Sequence, residues 1–173
     1  MTWTRQALDW IFRPPTAKEY MRLPFIVLGL DLLYNLAVII VLVLLGIDPE
    51  PVDDTHAVPI ASWWFVLSIV WVSIEEEVIF RIIPLVLLLR YVRNRVIIMV
   101  AVLAISALFG YVHHGWESIA MQGVGGVLYS ILFIKYAENG TRYYQASAVV
   151  ILVHTIYNAI IMMIYGASGG TTF

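Results

Sequence analysis

Cysteine is absent from this chain of 173 residues, and charged residues make up only 13% of it. Without cysteine the protein can form neither disulfide bonds nor thiolate metal sites. The net charge is −2, so the chain lacks the basic character typical of nucleic-acid-binding proteins, and we expect no nucleic-acid partner. Hydrophobic residues make up 61%, which is more than a soluble domain of this size can bury. We therefore predict an integral membrane protein in contact with lipid.

Five segments are apolar and of the length that a membrane-spanning helix needs, which is about 20 residues. They cover residues 24–47, 60–90, 96–112, 118–135 and 144–166. The sequence therefore predicts an all-α fold, a polytopic transmembrane helical bundle of five spans, or of six if the long second segment breaks. We interpret residues 24–166 as one integral membrane domain, preceded by an N-terminal segment at 1–23 and followed by a short tail at 167–173.

The basic residues cluster at alternate ends of these segments. Residues 1–23 mix Lys and Arg with tryptophan and other apolar residues, which is typical of an interfacial helix lying along a membrane surface. Lys and Arg also lie in the 90–95 and 135–142 turns, whereas the acidic 48–59 loop has none. Because basic residues favour the inner side of a membrane, we predict a multi-pass protein of the cell membrane with a cytoplasmic N-terminus.

The stretch SIEEEVIFRIIP, residues 73–84, places three carboxylates and an arginine within the second apolar segment. A charge at the bilayer centre costs about 2.5–3.5 kcal/mol on insertion scales, so such residues usually face protein and serve a function. Arg81 follows Glu77 by one helical turn, which places both side chains on one face. Glu76 points about 100° away and needs a partner on another helix. We expect one continuous helix here, distorted near Pro84.

Two histidines and an asparagine on later segments are candidate partners. His113 ends the third span, His154 lies inside the fifth, and Asn158 follows His154 by one turn. From the basic end of its own helix, Glu76 lies at about 21 Å, His113 at about 27 Å and His154 at about 18 Å, at 1.5 Å per residue. Helix tilt can absorb these differences. We therefore expect these groups to meet at one depth.

Other polar and small residues are interpreted as packing residues. Asp31 and Asn35 share a face of the first span, and we expect them to form hydrogen bonds between helices, which are a common source of cohesion in membranes. Gly126 and Ser130 indicate a close approach between the fourth span and a neighbour, because small residues allow helix backbones to come near each other.

In order and spacing, the polar residues resemble the CPBP family of intramembrane endopeptidases, which includes the type II CAAX prenyl proteases and bacteriocin-processing proteins. The family shows three motifs, E-E-x-x-F-R, F-x-x-x-H and H-x-x-x-N. They are matched in turn by Glu76, Glu77, Phe80 and Arg81, by Phe109 and His113, and by His154 and Asn158. The resemblance implies a protease, acting as a hydrolase on membrane-associated peptides or proteins that include prenylated ones, with membrane lipid as its surroundings.

The resemblance also implies a role for each matched residue. Glu76 and His113 would position and activate a water, while His154 and Asn158 would stabilise the oxyanion that forms during peptide hydrolysis. Glu77 would be a structural anchor among the catalytic residues. The supporting residues would be Arg81, Phe80 and Phe109.

A metal-dependent mechanism is the main alternative for the same residues. Glu76, His113 and His154 are a ligand set known from catalytic zinc sites, so Zn²⁺ is a candidate cofactor of a metalloprotease. Three other functions stay open. They are a carboxylate-based proton or cation transporter, a haem protein ligated by the two histidines, and a non-catalytic relative that acts in bacteriocin immunity. A transporter would favour repeated halves, which we do not find in the sequence.

Overall fold

The computed structural model describes residues 3–46 and 63–167, and every regular element within these ranges is helical. The acidic loop at 48–59 and the tail from residue 168 lie outside the described residues. The α-helices are α1 (Trp3–Phe12), α2 (Ala17–Leu44), α3 (Trp63–Glu77), α4 (Ile83–Tyr91), α5 (Arg95–His114), α6 (Trp116–Ser118), α7 (Val124–Tyr136) and α8 (Tyr143–Ala167). A first π-turn, Val78–Ile82, joins α3 to α4, and a second, Ile119–Gly123, joins α6 to α7.

Four helical stretches of the described chain are long and apolar enough to cross a membrane. They are Ala17–Leu44, Arg95–His113, Ile119–Tyr136 and Tyr143–Ile164. The second apolar segment is a fifth helical path, because α3, the first π-turn and α4 follow one another without a non-helical residue. Neither α3 nor α4 is long enough alone, with 15 and 9 residues. The predicted all-α polytopic bundle is confirmed, and the described part of the long segment does not break into two spans.

The first π-turn lies immediately before Pro84. The backbone N–H of Ile83 bonds to the carbonyl of Val78, five residues back, in place of the usual four. Pro84 has no N–H with which to continue the α-helical pattern, and its ring would clash with the carbonyl of the preceding turn. The distortion expected near Pro84 therefore takes the form of a π-turn, and it lies within the acidic motif.

α2 begins ahead of Pro24, the residue at which the sequence predicts the first span to start. Thr16 and Glu19 form a capping box, in which the Thr16 side chain accepts from the Glu19 N–H and the Glu19 carboxylate accepts from the Thr16 N–H. Pro24 lies inside the helix and cannot donate to the carbonyl of Tyr20. The hydroxyl of Tyr136 in α7 donates to that carbonyl instead, so an interior proline leaves no unsatisfied group at Tyr20.

α7 lies at the centre of the bundle, in contact with α1, α2, α5 and α8. Its Gly126 packs on Ser106 of α5, where an added Cβ would lie 3.0 Å from the Ser106 Cβ. The close approach predicted at Gly126 is therefore confirmed. Gly110 of α5 is closer still to its neighbour, since an added Cβ would lie 2.6 Å from the Cα of Ile119 in the second π-turn. These contacts hold α5 against α7 and against the second π-turn.

α1 packs on the end of the bundle that carries the basic turns, and its last two residues are buried. The ammonium of Lys135, in the last turn of α7, donates to the carbonyls of Trp10 at 2.7 Å and Arg13 at 3.4 Å. Arg95, which begins α5, pairs with Asp9 at 2.8 Å. The N-terminal helix is therefore present and attached to the bundle. Its position on a membrane surface and the cytoplasmic N-terminus stay predictions.

Candidate active site

The three adjacent glutamates lie at the end of α3, where this helix packs against α8. α3 buries one stripe of residues at a spacing of four, namely Phe65, Ile69, Ser73 and Glu77. The side chain of Glu77 is fully buried, that of Glu76 is 20% exposed, and Glu75 is exposed. The three carboxylates therefore have different surroundings, and Glu76 combines a buried site with access for a small molecule.

Glu77 is held by two nitrogen groups at the same oxygen. Its Oε1 forms an ion pair with the Arg81 guanidinium and lies 2.7 Å from Nδ1 of His154. The guanidinium of Arg81, 1% exposed, also lies 4.5 Å from the ring centroid of Phe109 and 5.1 Å from that of Tyr129, within the range of cation–π attraction. The pairing that the spacing of Glu77 and Arg81 predicts is present, and Glu77 is an internal anchor between α3 and α8.

Glu76 lies between two imidazoles. Its Oε1 is 3.3 Å from Nε2 of His113, and its Oε2 is 3.4 Å from Nε2 of His154. Nδ1 of His113 lies 2.7 Å from the carbonyl oxygen of Phe109, so in the neutral ring Nδ1 carries the hydrogen and Nε2 is an acceptor. Two acceptors then face each other, so this contact needs a hydrogen, either a shared proton or one from an adjacent water that donates to both.

His154 connects the two glutamates and is almost completely buried, with 4% of its side chain exposed. Nδ1 faces Glu77 and Nε2 faces Glu76. Aromatic rings lie beside the imidazole, with the centroid of Tyr129 at 5.3 Å and that of Phe109 at 6.3 Å. A carboxylate at Nδ1 fixes the orientation of a histidine ring and supports a positive charge on it. The position of His154 is therefore determined by contacts on several sides.

The two motif phenylalanines line the same site. The rings of Phe80 and Phe109 meet edge to face, with centroids 5.3 Å apart, and Phe109 packs on His113 at 4.5 Å. Both phenylalanines were predicted to support the site. The ring of Phe109 lies against the Arg81 guanidinium and the His113 imidazole, and Phe80 packs on Phe109. They reduce the water around these groups, which strengthens electrostatic interactions.

Asn158 lies one turn after His154, and its amide nitrogen donates to the hydroxyl of Ser73 at 3.1 Å. Ser73 donates in turn to the carbonyl of Ile69 at 2.8 Å. No described hydrogen bond joins Asn158 to either glutamate, although its amide nitrogen carries a second hydrogen. Sequence reasoning missed Ser73. Its position one turn before Glu77 on the buried stripe of α3 is the signal that could have found it.

A second polar cluster lies behind the site. Asp31 of α2, 2% exposed, accepts a hydrogen bond of 2.6 Å from the hydroxyl of Tyr129 in α7 and one of 3.0 Å from the amide of Asn35. The bond between helices expected of Asp31 is therefore present, whereas Asn35 bonds within its own helix. Tyr129 was not singled out from the sequence. It is the residue that connects this cluster to Arg81 and His154.

The zinc alternative gains no support from the described side chains. Across residues 3–46 and 63–167, no group of three or more His, Asp or Glu side chains is arranged to hold a metal ion. Glu76, His113 and His154 come together, as expected, but not as a ligand set.

Fold and site together define a helical, multi-pass membrane protein with a carboxylate–imidazole site inside the bundle. The chain belongs to the type II CAAX prenyl endopeptidase Rce1-like family, whose model matches residues 58–160, more than half of the chain. This is a family of proteases, and the resemblance carried by the three motifs is thereby confirmed. No curated protein and no solved structure matches the chain.

Proposed function

We propose that this protein is an intramembrane endopeptidase that hydrolyses peptide bonds of membrane-associated peptides or proteins with a water activated by Glu76 and His113. The supporting observation is the contrast between neighbouring carboxylates. Glu77 is buried in an ion pair with Arg81, while Glu76 is partly exposed between two imidazoles. A general base has to reach water and substrate, and only the second environment permits this.

The attacking water would lie beside the contact between Glu76 and His113. It would donate one hydrogen to the carboxylate of Glu76 and the other to Nε2 of His113, which is an acceptor because Nδ1 donates to the Phe109 carbonyl. As the water oxygen forms a bond to the carbonyl carbon of the substrate, its proton passes to Glu76. The same proton then passes from Glu76 to the amide nitrogen as the C–N bond breaks, so the carboxylate is regenerated.

The carbonyl oxygen of the substrate becomes negative during this attack and needs donors. His154 would supply Nε2–H in its doubly protonated form, because the buried Glu77 carboxylate at Nδ1 stabilises the positive charge. The second amide hydrogen of Asn158 would complete the oxyanion site, with Ser73 holding the first. His154 and Asn158, the two residues that would stabilise the oxyanion, lie one turn apart on the same face of α8.

The surroundings of the site follow from the same proposal. Residues 24–166 would form the membrane-embedded protease domain, with the N-terminal segment 1–23 on the cytoplasmic surface and residues 167–173 as a tail. Peptide substrates, prenylated proteins among them, would enter from the membrane, since the outward faces of the helices are apolar. The mechanism uses no metal.

The test is cleavage of a library of membrane peptides by the purified protein in detergent. Glu76→Gln keeps the shape of the side chain but removes the base, and we expect kcat to fall by about 10²–10⁴-fold. Glu75→Gln is the matched control, because Glu75 is the exposed neighbour on the same helix, and its kcat should stay within twofold of wild type, a change worth about 0.4 kcal/mol in barrier height.

Three results would contradict the proposal. Full activity of Glu76→Gln would remove the assigned base. Inhibition by a chelator, reversed by zinc, would replace the metal-free mechanism with a metalloprotease. A wild-type protein that cleaves no peptide of the library, while still folded by circular dichroism, would support the non-catalytic relative that acts by binding.

A further inference from the structure

Asp31 is a buried carboxylate whose described hydrogen-bond donors are neutral. It accepts from the hydroxyl of Tyr129 at 2.6 Å and from the amide of Asn35 at 3.0 Å, and none of the ion pairs in residues 3–46 and 63–167 includes it. A buried charge without a cationic partner is costly. A serine or an asparagine could join α2 to α7 at lower cost, so cohesion alone does not account for an acid here.

The ring of Tyr129 links this carboxylate to the candidate site. The hydroxyl of Tyr129 donates a hydrogen bond to Asp31. The centroid of its ring lies 5.1 Å from the guanidinium carbon of Arg81 and 5.3 Å from the centroid of the His154 imidazole. A hydroxyl that donates to a carboxylate makes the aromatic ring more electron-rich, which strengthens its attraction for neighbouring cations. The same hydrogen bond fixes the plane of the ring, which is tilted by 34° to the imidazole.

A glycine on α7 allows α2 to come close enough for the contact between Asp31 and Tyr129. Gly125 lies one turn before Tyr129, and a Cβ added there would come within 3.0 Å of Oδ1 of Asp31. The absence of a side chain at this position lets the carboxylate sit against the backbone of α7. A larger residue at position 125 would therefore disturb the contact between Asp31 and Tyr129.

We infer that Asp31 and Tyr129 form a positioning pair, in which the carboxylate sets the ring and the ring sets the imidazole of His154 and the guanidinium of Arg81 for hydrolysis. The inference rests on the proposed peptidase activity for its kinetic consequence. The pair touches no reacting atom in this arrangement. It acts through His154, whose Nε2 would meet the oxyanion, and displacements of about 1 Å at such a group can lower rates a hundredfold.

Tyr129→Phe is the first test, and Tyr136→Phe is its matched control. Both tyrosines lie on α7, both are buried, and both hydroxyls donate to α2, that of Tyr136 to the Tyr20 carbonyl away from the site. Each variant loses one hydrogen bond between the same two helices. We expect Tyr129→Phe to lower kcat about tenfold with KM within twofold, and Tyr136→Phe to leave both within twofold.

A kcat loss in Tyr129→Phe at least fivefold greater than in Tyr136→Phe supports the pair, and a smaller difference overturns it. Asp31→Asn provides a second variant of nearly unchanged shape, judged by the same criterion if Tyr129→Phe does not fold. The double variant Asp31→Asn/Tyr129→Phe should lose no more than the larger single loss, since the two residues act as a unit. If the double variant instead loses kcat by the product of the two single losses, the residues act independently and the inference is overturned.

A spectroscopic measurement separates this inference from the proposed function. In protein labelled with ¹⁵N-histidine, the ring-nitrogen signals of His154, assigned with a His154→Gln variant, should shift in Tyr129→Phe and stay in place in Tyr136→Phe. Unchanged His154 signals in Tyr129→Phe overturn the positioning pair whether or not peptide is cleaved. If wild type cleaves no peptide but the signals shift as expected, the proposed function fails and the contact between the pair and His154 stands.

Discussion

Arg81→Met tests how much the buried guanidinium of Arg81 contributes to stability. The side chains of Arg81 and Glu77 are 1% and 0% exposed, and methionine keeps an unbranched side chain while removing the charge. Loss of one partner from a buried pair leaves the other charge uncompensated, which costs about 3–5 kcal/mol. The guanidinium also faces the rings of Phe109 and Tyr129, and cation–π contacts add roughly 0.5–2 kcal/mol. We expect the free energy of unfolding to fall by about 4 kcal/mol.

Unfolding would be measured by SDS titration of the protein in mixed micelles, followed by circular dichroism. Arg90→Met is the control, since Arg90 is an exposed arginine on α4, and it should change stability by no more than about 0.5 kcal/mol. The double variant Glu77→Gln/Arg81→Met removes both charges and should recover at least half of the loss. A loss below about 1 kcal/mol in Arg81→Met, or a double variant no more stable than the single one, would refute this reasoning.

Two further predictions concern packing. Gly110→Ala should lower the free energy of unfolding by about 1–3 kcal/mol, because the added Cβ would lie 2.6 Å from the Ile119 backbone. The control Gly29→Ala should stabilise its helix, because an added Cβ there has nothing within 4 Å. Equal effects of the two substitutions in SDS titration would contradict this prediction. Lys135→Met removes the ammonium that donates to the end of α1, so trypsin should cut after Arg5, an exposed residue within α1, faster than in wild type. A Lys18→Met control should keep the wild-type rate, and an unchanged rate in Lys135→Met would show that α1 is held by other contacts.

The bundle and the meeting of its polar groups could be predicted because both follow from the cost of charge in lipid. Apolar length gave the spans, and the depth estimate placed Glu76, His113 and His154 in the same part of the bundle. Charged and polar groups at one depth have few partners other than each other. In the structure Glu76 contacts both imidazoles. The different surroundings of Glu76 and Glu77 also follow from one local rule, the one-turn spacing to Arg81.

Local backbone form and neutral partners could not be predicted in the same way. Pro84 marked a distortion, but the choice of a π-turn depends on how α3 and α4 pack in three dimensions. The early start of α2 was visible in the Thr16–Glu19 capping box, and a boundary drawn from hydropathy at Pro24 ignored that signal. Tyr129 bonds to a residue 98 positions away, and nothing local distinguishes such a tyrosine from one at an interface.

The geometry around Glu76 also bears on the alternatives that the sequence left open. A haem ligated by His113 and His154 would need the space between their Nε2 atoms, and the carboxylate of Glu76 fills it, at 3.3 Å from one ring and 3.4 Å from the other. A proton or cation relay would pass between acids, but Glu77 is fixed in its pair with Arg81. Glu76 is within water's reach and lies between two imidazoles. A carboxylate with nitrogen groups on both sides suits activation of a single water better than conduction along a path.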